Sequence, residues 1–75
     1  EEFATIDERC ILLGHEYGLT DREIEVMQFL AKGRSKGYIA EELVVSENTV
    51  RAHARRLYAK LDIHTKAELQ DLLGL

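Results

Sequence analysis

The sequence predicts an all-α fold: a small bundle of four core helices that contains a helix-turn-helix, preceded by a leading helix. Three observations support this. The 75 residues contain no proline, apolar residues recur at spacings of three and four, and Ser or Thr stands where these runs begin. A chain of this length forms one domain with little interior. We therefore expect its function to depend on its surface, and we expect no enzyme.

Residues 1–18 form the leading segment, which we interpret as an amphipathic helix or a linker. Its apolar positions share one helical face and are Phe3, Ile6, Cys10, Leu13 and Tyr17. Gly18 is a suitable stop. The sequence leaves open whether this helix packs on the domain, although packing is favoured. Because Cys10 is the only cysteine and lies on the apolar stripe, we expect a buried thiol without chemical function.

Residues 19–75 contain the four core helices. The residues that begin them are Thr20, Ser35, Ser46 and Thr65. Glu23, three positions after Thr20, completes a capping box. Val44 and Val45 predict a tight apolar turn before the third core helix, residues 46–61. The predicted inward positions are Ile24, Met27, Leu30, Ala31, Ile39, Ala40, Leu43, Val50, Ala54, Leu57, Leu61, Leu69, Leu72 and Leu73. The short connections favour direct packing of neighbouring helices at steep angles.

The charge of the chain is unevenly distributed. The net charge is −4, which by itself argues against a nucleic-acid partner. However, residues 32–61 carry seven basic and three acidic residues, a net of +4, between two acidic segments of −6 and −2. Any surface that binds a polyanion must therefore lie in this middle segment.

The third core helix carries most of this basic segment. Opposite its apolar stripe, no carboxylate occurs from Asn48 to Lys60, and arginines alternate with small residues. Ala52 and Ala59 leave the middle of this face low, so that the helix backbone can approach the floor of a major groove. A solvated basic face is the alternative interpretation. A helical protein-interaction module without nucleic-acid binding is the alternative function.

Residues 19–73 resemble the LuxR-type, or GerE, helix-turn-helix domain of bacterial transcription regulators. The resemblance depends on an L-T-x-R-E opening, an A-x-G-x-S junction, an I-A-E-x-L helix, the turn and helix start V-S-x-N-T-V-R-x-H, and a closing K-L. It implies sequence-specific binding of double-stranded DNA with the third core helix in the major groove, and dimerisation through the fourth. The second core helix departs from the pattern, since Ser35-Lys36-Gly37-Tyr38 stands where the family usually has S-N-K-E.

The resemblance also implies roles for individual residues. Arg51, Ala52 and Arg55 match positions that face bases. The positions assigned to phosphate contacts are Lys36, Thr49, His53, Arg56 and Lys60. Lys36 is included because it lies in the segment of the second core helix that departs from the family pattern. His53 lies at the shoulder of the apolar stripe, so that a locally hydrogen-bonded, half-buried histidine is an equal alternative.

Partners and location complete the sequence-based predictions. Ala67, Gln70 and Asp71 share a second face of the fourth core helix, which we interpret as the contact of a homodimer on DNA. We expect no cofactor, metal or small-molecule ligand, because His15, His53 and His64 lack ligand spacing. The chain begins with Glu1 inside an amphipathic pattern, so we expect an N-terminal regulatory or membrane part to precede it. We expect a cytoplasmic location, with a membrane tether if that missing part supplies one.

Overall fold

A computed structural model describes residues 5–75 of the chain. Its helices are α1 (Ile6–Tyr17), α2 (Asp21–Ala31), α3 (Lys36–Leu43), α4 (Glu47–Leu61) and α5 (Lys66–Leu73). No strand occurs among these residues. The predicted all-α fold, with a leading helix before four core helices, is confirmed. Phe3, assigned to the leading helix, lies outside the described residues.

Each helix begins after a Ser or Thr whose hydroxyl accepts a backbone N–H from three residues later. The four predicted caps are present. Thr5 is a fifth, and with Glu8 it forms a capping box on α1 that the sequence analysis missed. The glutamate of such a box is absent from α3, where Tyr38 takes its place. One N-terminal backbone N–H of α3 therefore lacks the carboxylate that a capping box would supply.

The core lies around α2, which packs against each of the other helices of residues 5–75. Helices α2 and α3 pack against α4, while α1 packs against α2 and α5. Arg9 also ties the two ends of the chain together, because its Nη1 donates to the carbonyl oxygens of Leu73 (2.9 Å) and Gly74 (3.0 Å). Since α1 shares its core with the helices that follow, residue 18 is not a break in packing. That a domain boundary lies at residue 18 remains a prediction.

Cys10 lies fully inside this core. Burial, with a smaller contribution from the charge of Asp7, raises the pKa of its thiol to about 11. Because the thiolate is the reactive form, the thiol is inert at neutral pH. None of the helices in residues 5–75 has the length and apolar character that a membrane crossing requires.

One detail of the predicted core differs in the structure. Leu72 was assigned inward and is 40% exposed, so that assignment was wrong. Leu69 and Leu73 already fill the side of α5 that faces the core. In the turn before α4, Val44 is 88% exposed and adopts a left-handed conformation at φ 57°. That conformation costs a residue with a side chain about 1–2 kcal/mol, and here it ends α3 without glycine.

Gly14 allows α1 to approach α2 closely. A Cβ built at this position would lie 2.5 Å from Cγ1 and 2.6 Å from Cδ1 of Ile24, which is itself buried. Real atoms do not approach this closely, so any larger residue here would force the buried Ile24 side chain or the helices themselves to shift.

Replacing Gly14 with alanine is therefore expected to destabilise the domain by about 1–2 kcal/mol. Overpacking costs about 1–3 kcal/mol, and the better helix propensity of alanine returns up to about 1 kcal/mol. Urea unfolding followed by circular dichroism measures the difference. In an Ile24→Ala background the same substitution should become stabilising, because the obstructing atoms are gone. If Gly14→Ala destabilises both backgrounds equally, the contact with Ile24 is not the reason for glycine.

Candidate nucleic-acid interface

Helix α4 turns one face to the core and the opposite face to solvent. Its buried residues are Val50, Ala54, Leu57 and Leu61, as the sequence predicted. Arg51, Arg55 and Ala59 are exposed, while Ala52 and Thr49 are half-buried. The arrangement therefore presents two arginines beside a low surface of small side chains, a shape that fits a groove between two phosphate backbones.

Arg51 is held by residues one turn earlier on α4. Its Nη1 donates to Oδ1 of Asn48 at 2.9 Å, and its Nη2 lies 3.3 Å from Oε1 of Glu47. Both side chains of the ion pair are about half exposed. The guanidinium is thus oriented before any ligand arrives.

Arg55 and Lys36 are the basic side chains of the predicted site that make no ion pair within residues 5–75. Arg55 lies one turn after Arg51 on the same exposed face. Lys36 is exposed at the first position of α3. Their positive charges are available to an approaching polyanion.

Arg56 and Lys60 face a buried carboxylate on another helix. Glu23 is only 2% exposed, and its Oε1 accepts a hydrogen bond from Nζ of Lys60 at 2.9 Å. Nε of Arg56 lies 3.7 Å from Oε2 of Glu23. Lys60, whose side chain is 37% exposed, also contacts the carbonyl oxygen of Gly18 at 3.4 Å. The two cations therefore fasten α4 to the beginning of α2.

Glu23 also completes the capping box of α2, because its Oε1 accepts the backbone N–H of Thr20 at 2.9 Å. Burial pushes the pKa of Glu23 upward, but the hydrogen bonds from Lys60 and Thr20 and the charge of Lys60 together outweigh it. The net result is a pKa below the usual range, so the carboxylate is ionised at neutral pH.

His53 is half-buried, and its Nδ1 lies 3.2 Å from Nη2 of Arg56. Arginine has only donors, so Nδ1 accepts this hydrogen bond and Nε2 carries the ring proton. The structure thus contains the local hydrogen bond that the sequence analysis kept as an alternative. A phosphate contact by His53 remains a prediction.

Arg34, two residues before α3, is a further basic side chain, to which the sequence analysis assigned no role. The guanidinium carbon of Arg34 lies 5.4 Å from the centroid of the Tyr38 ring, within the range of a cation–π contact. Tyr38 in turn packs edge-to-face on Phe29, with 5.9 Å between the ring centroids. The only sequence signal was an aromatic residue at the place of the expected glutamate.

The predicted dimer residues lie on the accessible side of α5. Ala67 and Asp71 are exposed and Gln70 is half-buried. Within residues 5–75, no three His, Cys, Asp or Glu side chains come close enough together to hold a metal ion.

Comparison with known proteins identifies the family. Residues 17–73 match the family described as bacterial regulatory proteins, luxR family. The chain is 40% identical over 57 residues to the Fimbriae Z protein of Salmonella typhimurium, which is 76% of this chain and 27% of that protein. It is 45% identical over 51 residues to the oxygen regulatory protein NreC of Staphylococcus haemolyticus, which is 68% of this chain and 24% of that protein.

The chain thus spans about a quarter of the length of these curated relatives. No solved structure matches it significantly. Three findings agree with one another: the helix-turn-helix that α3 and α4 form within the five helices of residues 5–75, the basic face on α4, and the match over residues 17–73. The chain therefore belongs to the luxR family of bacterial regulatory proteins, as a DNA-binding domain of transcription regulators.

Proposed function

We propose that this chain binds double-stranded DNA sequence-specifically, as the C-terminal output domain of a luxR-family transcription regulator. The observation that supports this most strongly is the exposed face of α4, where Arg51 and Arg55 flank a low surface of small side chains. Helix α4 would enter the major groove and read base edges, since bidentate arginine contacts to guanine are the commonest specific contact there.

Within this function we assign base contacts to Arg51, Ala52 and Arg55. The residues assigned to phosphates are Lys36, Thr49, His53, Arg56 and Lys60. Arg56 and Lys60 already share the carboxylate of Glu23. They therefore hold α4 against α2 and also present positive charge to solvent. Because Glu23 offsets part of that charge, each should neutralise less than one full phosphate.

Binding to duplex DNA is expected to weaken steeply with salt. Each neutralised phosphate changes log affinity against log salt by about −0.9, so that four full contacts would give about −3 to −4 per protomer. Because Arg56 and Lys60 share their charge with Glu23, we expect a slope of about −2 to −3 from Arg51, Arg55, Arg56 and Lys60. Fluorescence anisotropy with genomic fragments at several salt concentrations measures this slope. An absence of binding even at low salt would contradict the proposal. Salt-insensitive binding to a protein partner would favour the interaction-module alternative.

We further propose that two copies pair on DNA through Ala67, Gln70 and Asp71 of α5. Half-sites of helix-turn-helix dimers lie about one turn of DNA apart, which brings such faces together. The face is small and polar, so we expect a monomer in free solution that pairs when both copies occupy adjacent half-sites.

Replacing Ala67 with arginine is expected to leave the fold intact and to remove cooperative binding to a two-half-site operator, because a bulky charge would meet its own copy across the two-fold axis. Lys66→Arg, a charge-preserving change next to it, is the control. Gel-shift titrations on one and two half-sites measure cooperativity. Unchanged cooperativity of Ala67→Arg, with an unchanged circular dichroism spectrum, would exclude this face as the dimer contact.

The length of the relatives supports the proposal of a preceding part. Because the match covers about a quarter of each relative, we infer that a longer N-terminal part of the same chain supplies the regulatory input or a membrane tether. A cytoplasmic location follows from the proposed DNA target. The upstream coding sequence tests this inference, and a stop codon directly before Glu1 would contradict it.

A further inference from the structure

Glu47 connects the beginnings of α3 and α4. Its Oε1 lies 3.3 Å from Nη2 of Arg51 on its own helix. Its other oxygen, Oε2, lies 3.1 Å from the place where a Cβ on Gly37 would be. The carboxylate therefore lies between the backbone of α3 and the guanidinium of Arg51.

The absence of a side chain at Gly37 leaves room for this placement without a shift of the Glu47 carboxylate. A Cβ there would lie within 3.8 Å of both Oε2 and Cδ of Glu47. The first turn of α3 has no acidic residue of its own, and the positive end of a helix dipole attracts a carboxylate. The glycine, which replaces a residue of the usual family pattern, thus has a structural reason.

The contact with Glu47 also changes what Arg51 presents. A free arginine populates many rotamers, and it loses this conformational entropy when it binds. With Asn48 on Nη1 and Glu47 on Nη2, much of this freedom is already lost in the unbound domain. At the same time a half-exposed carboxylate beside the DNA-facing surface repels phosphates.

We propose that Glu47 is a positioning residue that sets sequence specificity, by orienting Arg51 for one base pair and by weakening binding to DNA that offers no such contact. Gly37 belongs to the same device, because it makes room for the carboxylate. The inference depends on the proposed DNA-binding function. It predicts that specificity is gained at the expense of total affinity, as in other interfaces that use repulsion against wrong partners.

The test uses a duplex selected from a randomised pool with the parent domain, and a scrambled duplex of equal composition. Glu47→Gln keeps the size of the side chain and removes its charge. It should tighten binding to the scrambled duplex and lower the ratio of the two affinities by about five- to tenfold, part of the discrimination that a bidentate arginine provides. Glu42→Gln, an equal charge change at an exposed position of α3, should leave the ratio within about twofold, since surface charge alone acts on both duplexes.

Two further measurements separate positioning from a general charge effect. Reselection with Glu47→Gln should relax preference at the same base pair that Arg51→Ala relaxes, and at no other. Gly37→Ala should also lower the affinity ratio, without lowering thermal stability, because alanine is the better helix former. In the Glu47→Gln background it should change the ratio no further.

The outcomes distinguish this inference from the proposed function. If the parent binds neither duplex, the DNA-binding proposal itself fails. If the parent discriminates between the duplexes and Glu47→Gln keeps the ratio within about twofold, the role of Glu47 is overturned while DNA binding stands. Relaxation at a base pair other than that of Arg51 would likewise overturn it.

Discussion

Replacing Lys60 with methionine is expected to lower the free energy of unfolding by about 3 kcal/mol. The substitution keeps the apolar stem of the side chain but leaves the carboxylate of Glu23, 2% exposed, without its closest cation. Removing one partner of a buried ion pair costs about 3–5 kcal/mol. The lower end applies here because Lys60 is itself 37% exposed to solvent and Arg56 remains 3.7 Å from the carboxylate. Urea unfolding at neutral pH measures the loss.

The control for this prediction removes the buried charge as well. In a Glu23→Gln background, Lys60→Met should cost much less, because no buried carboxylate is left without a partner and the glutamine amide oxygen can still accept from Thr20. Equal costs in the two backgrounds would show that Lys60 contributes by packing alone.

The same pair gives a pH dependence with a definite sign. The pKa of Glu23 is lower in the folded domain than the unfolded value of about 4.3. Its stabilisation is therefore fully present above pH about 4.3 and is lost as the pH falls through the lowered folded value. Glu68, whose pKa is lowered by the backbone N–H groups of His64 and Thr65, contributes in the same direction. Lys60→Met should therefore lose less stability on acidification than the parent domain. The difference between the two proteins measures the part of the pH dependence that is due to Glu23.

Removing both groove-facing arginines, Arg51→Ala with Arg55→Ala, is expected to weaken binding to the selected duplex by about 2–6 kcal/mol. Each bidentate contact to a guanine contributes about 1–3 kcal/mol of discrimination, and the sum holds if the two neighbouring positions act independently. Affinity for the scrambled duplex should fall much less, by the loss of charge alone. Anisotropy titrations on both duplexes measure the two effects.

Arg22→Ala is the matched control for the arginine variants. It removes one charge, as each of the two substitutions does, from an exposed residue of α2 that pairs with Glu25 at 3.1 Å. It should change both affinities little, since it lies outside the α4 face. A loss of affinity in Arg22→Ala of about half that in the double variant would indicate that net charge, and no particular face of α4, determines binding.

The helices could be predicted from the sequence because their beginnings are local events. The bond between Ser46 and the backbone N–H of Thr49 spans three residues, and so do those at Thr20, Ser35 and Thr65. The same holds for the apolar stripe of α4, because helical periodicity alone places Val50, Ala54, Leu57 and Leu61 on one side.

The mistake at Leu72 arose because several side chains compete for the same space. Leu72 continues the periodic stripe of α5, yet Leu69 and Leu73 occupy the space that faces the core. Val44 ends α3 in a left-handed conformation that favours glycine. No local pattern could predict this, because the direction in which α4 must leave the turn is set by its packing against α2 and α3.

The sequence by itself therefore determined the helices, the family and the basic face of α4, because these depend on residues a few positions apart. Only the tertiary structure decided how that charge is distributed. Glu23 meets Lys60 across 37 residues, and Glu47 reaches the backbone of Gly37 on the preceding helix. Glu23 approaches the basic face from α2, while Glu47 lies at the start of α4 itself and pairs with Arg51. Arg55 is thus the arginine of this face in residues 5–75 that makes no ion pair. Electrostatic interactions depend on distance in space, and the fold alone sets the distance between residues on different helices.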